Sequence, residues 1–138
     1  MDLSAIFARI ATIQRGISGV KAAHNKMPER LDVVPAFVNF YIGADVQTPR
    51  LPSQRILEHR IGMRLHVSRT DSGIAEESIR SFIVPVLDAF DADTRLSGTC
   101  NWALITGFQL GAFDFAGVLY AGVEFTLRVN IREVKTYA

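Results

Sequence analysis

The sequence has almost no cysteine: Cys100 is the single one in 138 residues. An internal disulfide is therefore excluded, and a reducing, intracellular folding environment is expected. One cysteine and three histidines, His24, His59 and His66, also leave little material for a soft-metal site. Net charge is nearly absent too, with fifteen basic and fourteen acidic residues giving +1. That balance argues against a protein whose main task is to grip nucleic acid phosphates. No basic start followed by an apolar run opens the chain, so no signal peptide is expected. The longest uncharged stretch, from Leu96 to Phe113, is broken by Ser97, Gly98, Thr99, Asn101, Thr106, Gly107, Gln109 and Gly111. It is too polar for a spanning helix, which needs about 20 mostly apolar residues, and reads as a loop followed by a buried strand. Nucleophile elbows, phosphate-binding glycine loops, HExxH and paired CxxC motifs are all missing.

What is present is an ordinary globular composition, 49% hydrophobic and 21% charged, in a chain of single-domain length spanning residues 1–138. Leu3, Ile6, Phe7, Ile10 and Ile13 recur at helical steps and predict a helix from Leu3 to Arg15, capped by Asp2 and stopped by Gly16. Val20 to Ala23 fits a short edge strand, and Asn25 to Pro35 a loop. Ala36 to Ile42 carries the β-branched and aromatic weight of a strand. Gly43 to Ser53, with Pro49 and Pro52, reads as a polar loop.

Strict alternation marks the next strand. Leu57, His59, Ile61, Met63, Leu65 and Val67 share one face; Glu58, Arg60, Gly62, Arg64, His66 and Ser68 share the other. A second helix follows from about Ile74 to Phe90, capped by Asp71 or Ser72, with Ile79, Phe82, Ile83, Val86, Leu87 and Phe90 as its apolar stripe. Pro85 inside it is expected to bend it. Ala103 to Leu110 forms a strand, Gly111 to Gly117 a turn, and Val118 to Arg132 a last strand with Leu119, Ala121, Val123, Phe125, Leu127, Val129 and Ile131 on one side. The expected fold is α+β: a single antiparallel or mixed sheet of four to five strands, built from two hairpins, with two helices packed on one face.

No catalytic or metal-binding constellation emerges, and no cofactor is expected. His59 and His66 have opposite parity and point to opposite faces; His59 reads as a satisfied, half-buried group and His66 as a surface group. Cys100 reads as a small apolar filler near a turn. Asp88, Asp91 and Asp93 read as a solvated helix end. The functional weight falls on surfaces. Glu58, Arg60 and Arg64 line the polar face of one strand, and Glu124, Arg128 and Arg132 that of another. Twelve of the fifteen basic residues are arginine, whose planar fork pairs with carboxylates and stacks on rings at interfaces. The loop residues Thr48, Pro49, Arg50, Leu51 and Pro52 form a second candidate contact.

Four segments carry a family resemblance over roughly Leu3 to Glu133: the opening helix LSAIFARIATIQRGI, the alternating strand HRIGMRLHVSR, the helix ESIRSFIVPVLDAFDAD, and the closing strand FAGVLYAGVEFTLRVNIRE. In this order they resemble the tail terminator proteins of long-tailed bacteriophages and related prophages. The resemblance implies a non-enzymatic virion protein, assembled in the host cytoplasm, that forms a homo-oligomeric ring, usually a hexamer, on the end of the tail tube. Its implied partners are further copies of itself, the major tail tube protein and a head-completion or neck protein. DNA would meet it only in passage, and no membrane is involved. The alternatives are another head–tail connector or neck protein, a small enzyme or ligand-binding domain with Trp102, Phe108 and Tyr120 lining a pocket, and a nucleic-acid-binding module.

Overall fold

A computed structural model describes residues 3–47, 54–70 and 76–134. Two helices and one five-stranded mixed sheet make up an α+β fold, and the sheet is open. The elements in chain order are α1 (Leu3–Arg15), β1 (Ala22–His24), β2 (Ala36–Gln47), β3 (Gln54–Arg69), α2 (Glu76–Asp91), β4 (Trp102–Phe115) and β5 (Val118–Val134). The strand order is β1-β2-β3-β5-β4. All pairs are antiparallel except β1 with β2, which are parallel and matched only at Ala36, Phe37 and Val38.

The apolar parity of β3 and β5 makes the core. Ile61 pairs with Leu127, Met63 with Phe125 and Leu65 with Val123, so their side chains form adjoining rows on one face. Ile6, Ile10 and Ala11 of α1 and Ile79, Val86 and Phe90 of α2 complete the same buried cluster. Both helices therefore cover one face of the sheet, and their apolar stripes are what hold them there. Gln14, polar yet fully buried, locks α1 in place: its amide exchanges two hydrogen bonds with the Asn39 amide, at 2.7 and 2.8 Å. Asn39 also donates to the His24 carbonyl at 3.0 Å, tying β1 to β2.

Two strands run further than the sequence pattern suggests. β2 continues to Gln47, through residues expected to be loop, and its extra length pairs with Ile56 to Arg60. β4 continues through Phe115, leaving only Ala116 and Gly117 as the turn. Both turn residues have positive φ, 53° and 80°, the backbone a two-residue hairpin needs. In each case backbone pairing with a long neighbour outweighs the polar and glycine content that signalled a break. β2 is bulged between Tyr41 and Gly43, and β4 between Ile105 and Gly107.

α2 runs without a break from Glu76 to Asp91 with Pro85 inside it. The segment after it turns through Leu96, Ser97 and Gly98, all at positive φ. Asp93 holds this turn by accepting the Ser97 N–H at 3.0 Å, and it pairs with Arg9 at 3.0 Å. The turn delivers Leu96, which is fully buried, into the core. The Asp2, Asp71 and Ser72 caps and the Ile74 start of the second helix lie outside the described residues.

Candidate functional site

The face of the sheet opposite the helices carries the candidate residues Glu58, Arg60, Arg64, Glu124, Arg128 and Arg132. β3 and β5 are direct neighbours, so the two charged ladders stand side by side. Arg64 and Glu124 are cross-strand partners and bond at 2.6 and 3.0 Å. The Arg64 guanidinium also lies between two rings, 5.0 Å from the centre of Phe40 and 4.6 Å from that of Phe113. Cation–π contact and a two-bond carboxylate pair hold it in one orientation. The close approach of Phe40 depends on Gly62 beneath it, where a Cβ would sit 2.2 Å from the ring.

Arg60 and Arg128 are directly opposite each other, an arrangement that destabilises a sheet unless compensated. Asp45 compensates it, accepting from Arg60 at 2.7 Å and lying 3.9 Å from Arg128. Glu58 adds a contact to Arg128 at 3.3 Å and accepts from Gln47 at 3.0 Å. The result is a network across β2, β3 and β5. Asp45 is not legible in the sequence, because the Gly43 to Ser53 segment reads as a loop; strand parity extended to Gln47 finds it. Arg132 is exposed on the same face, further along β5. Arg55 and Glu133, a pair at the end of the helix-covered face, bond at 3.1 Å, and this bond holds the Glu133 carboxyl below its ordinary range.

The histidine readings divide. His59 is 6% exposed and its Nδ1 shares a hydrogen bond with the Tyr41 hydroxyl at 2.9 Å, as a satisfied histidine should. His66, expected at the surface, is fully buried instead. Phe113, Phe115 and Tyr120 close over it with ring centres at 6.4, 5.6 and 5.1 Å. Neither ring nitrogen finds a hydrogen-bond partner among the described residues. Burial, then the nearby Arg64 charge, lowers its pKa to about 4. Parity placed His66 on the correct face; the aromatic end of the β4–β5 hairpin, folded over that face, is what buried it. Ser68 is also corrected. The register shift between His66 and Ser68 pairs Ser68 with Ala121 and so places it on the helix side, 3% exposed.

Cys100 is buried and its thiol is pushed up to about 11, first by burial and then by the Asp93 charge. A thiol so rarely ionised is a poor nucleophile. Asp93 is held below the ordinary carboxylate range by the Ser97 N–H first and Arg9 after it. Trp102, Phe108 and Tyr120 do not converge. Phe108 packs on Phe125 on the helix side, Tyr120 packs on His66 on the other face, and Trp102 pairs with Asn130 at the far end of β4. A cleft of about 490 Å³ opens beside α2, lined by Lys21, Val34, Pro35, Val67, Ser68 and Phe82 among others. Its described lining holds no carboxylate, histidine or thiol to act as acid, base or nucleophile. The candidate loop residues Thr48, Pro49, Arg50, Leu51 and Pro52 lie outside the described residues. Among the described residues no helix is long and apolar enough to cross a membrane. Set against known proteins, the sequence matches no family model and no curated protein.

Proposed function

We propose that this chain is a structural assembly protein that forms a ring on the end of a bacteriophage tail tube, ending tube growth and offering a joining surface to the head. In this reading it has no catalytic site, needs no cofactor, and takes as partners other copies of itself, the tail tube protein and a head-completion protein. The ring is taken as a hexamer and its place as the virion tail. The observation that carries the reading is the sheet face opposite the helices, which no described helix covers. It is broad, preorganised by the Arg60–Asp45–Arg128–Glu58 network and the Arg64–Glu124 pair, and nearly balanced in charge. A rigid surface of mixed charge suits specific protein contact. It also suits a wall past which DNA slides, because it offers no strong phosphate-binding field.

Negative-stain microscopy of the purified protein, alone and with polymerising tail-tube protein from the same genome, tests this. Rings, or tubes of limited length capped at one end, are expected. Tubes that grow unchanged, with no rings, overturn the terminator reading and favour a neck protein. Replacing Arg60 and Arg64 by glutamate sets like charges against Asp45 and Glu124 and should weaken assembly. Unaltered assembly would make this face an ordinary solvated one.

A further inference from the structure

The two sides of the sheet end in strands of opposite direction. β2, β3, β5 and β4 alternate strictly, so β2 and β5 run one way and β3 and β4 the other. β1 covers the outer side of β2 only from Ala36 to Val38. Beyond Val38 no described strand pairs with that side, and β2 continues to Gln47. On the other side β4 is the edge for its whole length. Its start is closed off, since the Ala103 N–H donates to the Thr94 carbonyl at 2.6 Å. From Leu104 onward no described strand pairs with its outer side, the inner side being held by β5.

Natural sheets blunt long edges with lysine and other charges, proline, bulges or very short strands. β4 is 14 residues long with no lysine or proline; one bulge, between Ile105 and Gly107, and one charge, Asp114 near the turn, are all that blunt it. Exposed apolar side chains flank both edges: Leu104 and Phe108 on β4, and Tyr41, Ile42 and Val46 on β2. These are the features of edges that are covered in use.

We infer that the β4 edge of one copy pairs antiparallel with the outer edge of β2 in a second copy of this chain. A neighbour in the same orientation presents β2 beside β4 and continues the up-and-down alternation without a break. A contact of β4 with β4 would leave every β2 edge open. The β4-to-β2 contact is heterologous, so it repeats from copy to copy and closes where the rotation allows. The helices thicken one face, so copies that close into a ring fit together with the thinner face inward. The Arg60, Arg64 and Arg128 face then lines the inside and the helices stand outside. This inference rests on the assembly reading, and it adds the surface and the partner.

Two variants test it. Leu104→Glu with Thr106→Lys blocks β4, the glutamate standing opposite Arg128; Ile42→Lys with Val46→Lys blocks β2. All four positions are exposed, so thermal melts should match the unaltered protein. Sedimentation velocity is run where the unaltered protein assembles. Each variant alone should stay monomeric, and an equal mixture should give dimers, because it holds one intact edge of each kind. Dimers of the β2-blocked variant alone overturn the inference in favour of a β4-to-β4 contact. Assembly of each variant to the size of the unaltered protein overturns it while leaving the assembly reading standing. An unaltered protein that stays monomeric with and without tube protein overturns both. If a double variant melts early, Thr106→Lys and Val46→Lys alone are read in the same way.

Discussion

His66 should make this protein acid-sensitive in a defined window. Its imidazole is fully buried under Phe113, Phe115 and Tyr120, and its pKa falls from 6.5 to about 4, chiefly through burial and then through Arg64. The folded state therefore holds the ring neutral down to about pH 4, whereas the unfolded chain protonates it near 6.5. Between these values the unfolded state binds more protons, so stability rises with pH and is lost as pH falls. The loss begins near 6.5 and is complete below about 4, and the difference corresponds to about 3 kcal/mol. His66→Leu removes the titration with a modest change in volume. At pH 7 the variant should be as stable as the unaltered protein or slightly more so, because the two unpartnered nitrogens are gone. Urea unfolding from pH 7 to pH 4, below the concentration at which the protein assembles, measures both curves. The unaltered protein should lose about 3 kcal/mol more than the variant across that range. Two parallel curves would refute the argument and mean that the ring is solvated or protonated in the folded state.

Other outcomes follow from single contacts. Asn39→Leu leaves the buried Gln14 amide without its partner and should cost about 2 kcal/mol in denaturant unfolding. The double change with Gln14→Leu should cost clearly less than the two single changes together; simple additivity would show that the amides do not act as a pair. Gly122→Ala places a Cβ 2.0 Å from the Leu65 carbonyl oxygen, whereas Gly107→Ala meets nothing within 4 Å. The first should lower the melting temperature sharply or prevent folding, and the second should leave it within a few degrees; similar effects of both would contradict the close approach of β3 and β5.

Which face each side chain of the central strands β3 and β5 takes was legible because it is written at period two. Ile61, Met63 and Leu65 alternate with Arg60, Gly62 and Arg64, and only one parity can face a core. The ladder of Glu124 and Arg128 on β5 was legible for the same reason. Asp45 was not, because glycine and aspartate at positions 43–45 have low strand propensity, and only pairing with β3 keeps the chain extended there. Ser68 escaped because a bulge reverses parity without any mark in the residues. His66 escaped because parity assigns a face but does not say what folds over it.

By itself, then, the sequence determined what each segment does locally. Two amphipathic stripes made the helices, alternating strands made one apolar and one charged face, and one cysteine with nearly balanced charge narrowed the chemistry. The tertiary structure alone decided which strands became neighbours, and so which charges met. It set Asp45 between Arg60 and Arg128, folded the β4–β5 hairpin over His66, and left β4 and the far part of β2 as the two sides of an open sheet. The physical reason is one of range. Helix and strand periodicity is carried by residues a few positions apart, while burial and ion pairing depend on groups tens of positions away that meet only once the chain has packed.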